Sequence, residues 1–205
     1  VQAEARSAAR LAAPVLCYLA NHPGATLTPG EIGRIIGEDA RMGEQLAAWL
    51  ERVGLFERTA QRDGEQSYAL AAGERRRARG LPLILLVEDR AQLAQHTETL
   101  LASEGYAVII ARNPLEAHAL LRVTAFDLIL TDSFAPTLEL SMRVLAPLLR
   151  RAACTPVVLF TAHHWDAARV QAEGFADIIP QPLAVEPFLA RIERLLERRR
   201  QEERH

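Results

Sequence analysis

LPLILLVEDR, residues 81–90, decides how the larger part of this chain is read. Leu83 to Val87 are apolar without alternation, so a strand built from them is buried on both faces, as in a parallel sheet covered by helices. Glu88 and Asp89 follow at once. In open sheets of this kind ligands bind beyond the carboxyl ends of the strands, which makes the residue after each apolar run the informative one.

The same grammar recurs to the end of the chain. AVII (107–110), LIL (128–130), VVLF (157–160) and DII (177–179) are further short β-rich runs. Between them lie helical spacings such as Leu93, Thr97, Leu100, Leu101 and Val185, Phe188, Leu189, Ile192, Leu195. Five alternations predict an α/β doubly wound domain with a parallel sheet. After LIL stand Thr131 and Asp132, after VVLF stands Thr161, and after DII stand Pro180 and Gln181. Three carboxylates, a hydroxyl and an amide are thus expected on one rim. Carboxylates held together raise one another's pKa unless a cation sits among them, and Mg2+ suits an oxygen-only set. Glu88, Asp89 and Asp132 are the candidate metal ligands, Asp132 is a candidate phosphoryl acceptor, and Thr161 can donate to the acyl phosphate.

LLVEDR, LILTD followed by Pro136, VVLFTA and GFADIIPQP, in that order at successive strand ends, resemble the receiver domain of two-component response regulators over about 83–200. The resemblance implies a flavodoxin-like five-stranded parallel sheet in the order 2-1-3-4-5. It also implies Mg2+ on Glu88, Asp89 and Asp132, phosphorylation of Asp132, Thr161 as switch hydroxyl, and a sensor histidine kinase or phosphotransfer protein as partner. Three positions depart from the family pattern. Gln181 before Pro182 stands where the family has lysine before a cis-proline, Ile178 replaces the switch aromatic, and the bulky Phe134 lies two residues after Asp132. The expectation is a switch site without its usual fixed cation. Either the receiver is phosphorylated, or it is degenerate and serves as a dimer or docking surface.

Upstream the grammar differs. Ala12, Val15, Leu16 and Leu19 predict a short helix stopped by HPG at 22–24. Thr28, Pro29 and Glu31 form a capping box opening a helix with Ile32, Ile35 and Ile36, which Gly37 ends. Met42, Leu46, Leu50 and Val53 mark a third helix, and two strand-like runs flank Asp63-Gly64, a hairpin dipeptide. TLTPGEIGRIIGEDARMGEQLAAWLERVGLFER is similar to the helix-turn-helix of winged-helix DNA-binding domains, over roughly 10–72. That likeness implies a helix at 41–53 facing the major groove of double-stranded DNA through Arg41, Gln45 and Ala48, with Arg58 and Arg62 on the hairpin reaching the backbone or minor groove. Glu44 and Glu51 lie near that surface and repel phosphate. The alternative use of the same fold is dimerisation or docking.

Residues 1–72 are therefore read as a small α+β winged-helix domain, 73–82 as an Arg-rich linker, and 83–205 as a receiver-like domain whose last helix runs on as a charged stripe past the domain. Among 205 residues, 49% are hydrophobic and 24% charged, with a net charge of −2, which excludes a protein that coats nucleic acid by charge alone. All 24 basic residues are arginine, so no lysine is available for catalysis. Cys17 and Cys154 have no metal-ligand spacing and no disulfide framework. LAAPVLCYLA and LPLILLV fall far below the ~20 residues of a membrane span. No signal peptide is legible, and the expectation is a cytoplasmic protein. No nucleophile with an adjacent base and no Gly-rich phosphate loop is present, so an enzyme is not expected. His163 and His164 read as loop histidines, and Trp165 as a cover for the rim or a partner contact. The function expected is transcription regulation by a homodimer whose receiver sets dimerisation or orientation. The alternative is an adaptor binding proteins through both domains.

Overall fold

The structure, a computed structural model, describes residues 2–59, 61, 64–71, 81–152, 154–181 and 184–202, without the side chains of 2–7 and 9. Two compact units are present: one comprises the residues up to Leu81 with Arg122–Ala125, the other Pro82–Leu121 and the residues from Phe126 onward.

The first unit consists of α1 (Gln2–Asn21), α2 (Pro29–Ile36), α3 (Ala40–Arg52), β1 (Phe56–Arg58) and β2 (Tyr68–Leu70). The capping box is formed as the sequence requires: the Thr28 hydroxyl accepts from the Glu31 amide at 3.3 Å, and the Glu31 carboxylate accepts from the Thr28 amide at 2.8 Å. Gly37, at φ 74°, closes α2 in the left-handed conformation that glycine adopts without a Cβ penalty. α1 is 20 residues long, whereas a short helix was expected. Alanine-rich sequence without a legible apolar stripe still has high helix propensity, and Pro14 is accommodated inside the helix. β1 and β2 pair antiparallel, and Leu27 adds a bridge to Tyr68. Leu16, Ile32, Leu46, Leu50 and Phe56 fill the core. α2 and α3 meet through glycines. A Cβ on Gly43 would lie 2.0 Å from the Pro29 carbonyl oxygen, and one on Gly33 would lie 2.4 Å from that of Asp39.

The second unit alternates strand and helix: β3 (Leu83–Val87), α4 (Ala91–Ser103), β4 (Ala107–Ala111), α5 (Pro114–Leu120), β5 (Leu128–Thr131), α6 (Leu138–Ala152), β6 (Val157–Thr161), α7 (Ala167–Ala172), β7 (Asp177–Pro180) and α8 (Val185–Glu202). The sheet runs β4-β3-β5-β6-β7 with every neighbouring pair parallel. This is the expected 2-1-3-4-5 order of a flavodoxin-like receiver fold. Ile84, Leu86, Ile110, Leu128, Leu130, Val158, Phe160 and Ile179 bury one sheet face together with Ala94 and Leu101 of α4 and Phe188, Ile192, Leu195 and Leu196 of α8. Leu83, Leu85, Val87, Ile109, Ile129 and Leu159 alternate with them and are equally buried, which is why the runs are continuous rather than alternating.

α8 departs from the expected stripe projecting past the domain. Leu195, Leu196 and Arg199 are still buried, and Arg199 donates from Nη1 to the Asp127 carbonyl oxygen at 3.3 Å. An arginine stem packs on apolar surface while its head finds a backbone acceptor, so a charge-rich segment continues the core.

Candidate functional site

Three of the parallel strands deliver their next residue to one rim with the backbone fixed. The Glu88 amide donates to the Ala111 carbonyl at 2.9 Å, the Asp132 amide to Val87 at 3.0 Å, and the Gln181 amide to Thr161 at 2.9 Å. The ladder thus extends one residue beyond β3, β5 and β7. At that rim Glu88, Asp89 and Asp132 each bring a carboxylate oxygen within 4.8 Å of the others. Glu88 is buried, and Asp89 is exposed. Among the described residues this is the group of acidic, histidine and cysteine side chains able to hold a metal, and neither His163 nor His164 belongs to it.

The cluster fits Mg2+. Oxygen ligands about 2.0–2.1 Å from an octahedral ion lie within roughly 4 Å of one another, so three carboxylate oxygens already this close need only small side-chain movements. The donor set is all oxygen, as a hard cation requires. Glu88, Asp89 and Asp132 would hold it, and it would supply the positive charge that neutralises the cluster and an incoming phosphoryl group.

The expectation of a site without a fixed cation is corrected by Arg90. Its guanidinium lies among the same carboxylates: Nε donates to Glu88 Oε1 at 2.9 Å, and Nη2 to Glu88 Oε2 and Asp132 Oδ2, both at 3.2 Å. Nη2 also donates to Gln181 Oε1 at 3.0 Å. The amide of Gln181 is oriented by its other end, where Nε2 donates to the Phe160 carbonyl at 2.9 Å. Burial pushes the Glu88 carboxyl above its ordinary pKa, and hydrogen bonds and charge from Arg90 oppose that rise. The hydrogen bond to Glu88 holds the Arg90 guanidinium above its own ordinary value.

Thr161 is fully buried and reaches Asp132 indirectly. Its hydroxyl donates to Ser133 Oγ at 3.3 Å, and Ser133 Oγ donates to Asp132 Oδ1 at 3.4 Å. The His163 amide donates back to Thr161 Oγ1 at 3.3 Å, and the His163 ring stacks on Trp165 with centroids 5.0 Å apart. Phe134 has φ 55°, the one positive value at a non-glycine residue among those described, so the turn leaving Asp132 is strained. Ile178 is half-buried within β7 and has no hydrogen bond to the cluster; its carbonyl accepts from Arg191 at 2.7 Å. Pro182 lies outside the described residues.

Sequence reasoning missed Arg90 and Ser133. Both adjoin residues it named, but side-chain direction, not spacing, brings them into the site.

The five residues expected to meet DNA are scattered in their circumstances. On α3, Arg41 and Ala48 are exposed and Gln45 is half-buried, with Glu44 exposed beside them. Arg58 is tied to Glu51 at 3.1 Å. Arg62 lies outside the described residues, as does Asp63 of the hairpin turn and most of the linker.

The family model described as response regulator receiver domain matches residues 84–193. The chain belongs to this family. The match runs from the second residue of β3 to the middle of α8 and thus takes in the whole acidic rim. Among curated relatives, the transcriptional regulatory protein TctD of Salmonella typhimurium is 33% identical over 117 residues, covering 56% of this chain and 52% of that protein. The transcriptional regulatory protein CpxR homolog of Haemophilus influenzae is 34% identical over 117 residues, covering 56% and 50%. The chain spans about half the length of the curated relatives it matches. A response regulator receiver domain protein (CheY-like) from Methanospirillum hungatei aligns with a TM-score of 0.54 at 25% identity, over 60% of this chain and 99% of that one. Among the described residues, no helix is long and apolar enough to cross a membrane.

Proposed function

We propose that this receiver is phosphorylated on Asp132 by a sensor histidine kinase or phosphotransfer protein, with Mg2+ on Glu88, Asp89 and Asp132, and that the chain regulates transcription. The observation that carries the reading is the convergence of these three carboxylates, one of them buried, at the carboxyl rim of the sheet. The receiver is atypical: Gln181 and Ile178 occupy the positions of its usual switch lysine and aromatic, and Thr161 is connected to Asp132 through Ser133. It is not an enzyme beyond its own phosphoryl uptake.

The residues up to 72 act in this reading as a winged helix, joined through 73–82 to the receiver at 83–205. Receiver modification sets homodimerisation or the orientation of the DNA-binding surface formed by Arg41, Gln45, Arg58 and Arg62. The names of TctD and the CpxR homolog, both transcriptional regulatory proteins, support this role. One observation favours the second reading, an adaptor without DNA contact: Arg58 already has a carboxylate partner, and Glu44 stands exposed on the same helix as Arg41.

Calorimetry with beryllofluoride at millimolar Mg2+ tests the first part. Binding to the full chain, abolished by Asp132→Ala, is expected; no binding, or binding indifferent to that substitution, rejects it. Fluorescence anisotropy with selected and random duplexes at two salt concentrations separates regulator from adaptor. A regulator's affinity falls with a log–log slope of about −0.9 per phosphate neutralised.

A further inference from the structure

We propose that Arg90 is a built-in competitor of the divalent cation: its guanidinium closes the acidic cluster in the metal-free receiver and must leave before Mg2+ can engage Glu88 and Asp132. The proposal rests on the metal reading above and adds to it an occupant that the ion has to displace.

The geometry makes the competition direct. Arg90 takes both oxygens of Glu88 through Nε and Nη2, its own backbone amide donates to Glu88 Oε1 at 3.0 Å, and Nη2 reaches Asp132 Oδ2. Nη2 therefore faces three acceptors, one each on Glu88, Asp132 and Gln181, with two hydrogens. Glu88 is 1% exposed, so its charge is met by the guanidinium or by another cation. A metal ion needs the carboxylate lone pairs to which Nη2 donates, and two positive centres in contact repel each other. Arg90 can vacate the site, because its side chain is 48% exposed.

Gln181 completes the device. With Nε2 held by the Phe160 carbonyl, its Oε1 faces Nη2 as a neutral acceptor that positions the guanidinium over the cluster. A cationic side chain at 181 could not accept that hydrogen bond. Arg90 and Gln181 are thus a matched pair, and Gln181 is the positioning residue.

The experiment is a Mg2+ titration of the full chain by calorimetry, comparing the parent with Arg90→Gln, Gln181→Ala and Asp132→Asn, each checked for a native amide spectrum. Arg90→Gln should tighten Mg2+ about tenfold, from removal of a charge-assisted competitor, and Gln181→Ala about threefold, from removal of its anchor. Asp132→Asn should weaken it. In the parent, the Arg90 Nε–H resonance, assigned by its loss in Arg90→Gln, should shift as Mg2+ saturates, a change that a merely structural arginine would not report. Binding in the parent that Arg90→Gln leaves equal or weaker overturns the competition alone. Absence of Mg2+ binding in both overturns it together with the metal reading. Binding that appears only in Arg90→Gln supports it most directly.

Discussion

Arginine meets glutamate in both units, with different consequences. In the first, Arg58 and Glu51 are 60% and 23% exposed and join the end of α3 to the hairpin. In the second, Arg90 and Glu88 are 48% and 1% exposed. An exposed pair competes with water on both sides and contributes about 0–1 kcal/mol. When one member cannot reach water, losing the other leaves a stranded charge, which costs about 3–5 kcal/mol if both are buried. The half-exposed Arg90 falls between these limits. The units also differ in what holds them. The first depends on a glycine-to-backbone approach between two helices, and the second on continuous apolar strands sandwiched by helices.

The largest expected effect attacks the glycine contact. Gly43→Ala would force a methyl against the Pro29 carbonyl and the Gly33 amide nitrogen, both backbone atoms, and should destabilise the first unit by about 3 kcal/mol. Gly105→Ala in the second unit meets nothing within 4 Å and carries only the penalty of its φ of +85°, about 1 kcal/mol. Urea unfolding followed by amide resonances of each unit checks both. Similar losses at the two positions would break the distinction.

Arg90→Ala should cost about 1–2 kcal/mol in metal-free buffer, between the exposed and buried limits. The deficit should shrink or reverse at saturating Mg2+, because the ion then neutralises Glu88. Equal destabilisation with and without Mg2+ would make Arg90 an ordinary packing residue. Arg58→Ala, the smallest effect, should change stability by less than about 0.5 kcal/mol, read from the same urea curves.

The fold of the second unit was legible because its strands are apolar on both faces. LILLV fills β3 to the residue, and the carboxylates fall immediately after strand ends, where the ladder continues into them. The capping box at Thr28 was legible for the same reason of local determinism. α1 was not, since its N-terminal alanines make helix by propensity without a stripe to mark it. Arg90 was the larger miss. It stands in the very stretch that decides the fold, yet nothing in VEDR says that the side chain two residues after Glu88 turns back onto the rim. Gln181 was recognised as unusual for lacking a charge, whereas its role as an acceptor needs the fold to bring residues 90 and 181 together.

The glycine crossing also bears on how this protein can diversify. Because α2 and α3 approach backbone to backbone at Gly33 and Gly43, the close contact consumes no side chain from the opposite surface of α3. Arg41, Glu44 and Ala48 are exposed there and carry no packing duty at the crossing. Those positions are free to accept other side chains, because the crossing depends on the two glycines and not on them. Substitution at Arg41, Glu44 or Ala48 should therefore leave the folding of this unit intact, whatever the exposed face of α3 meets.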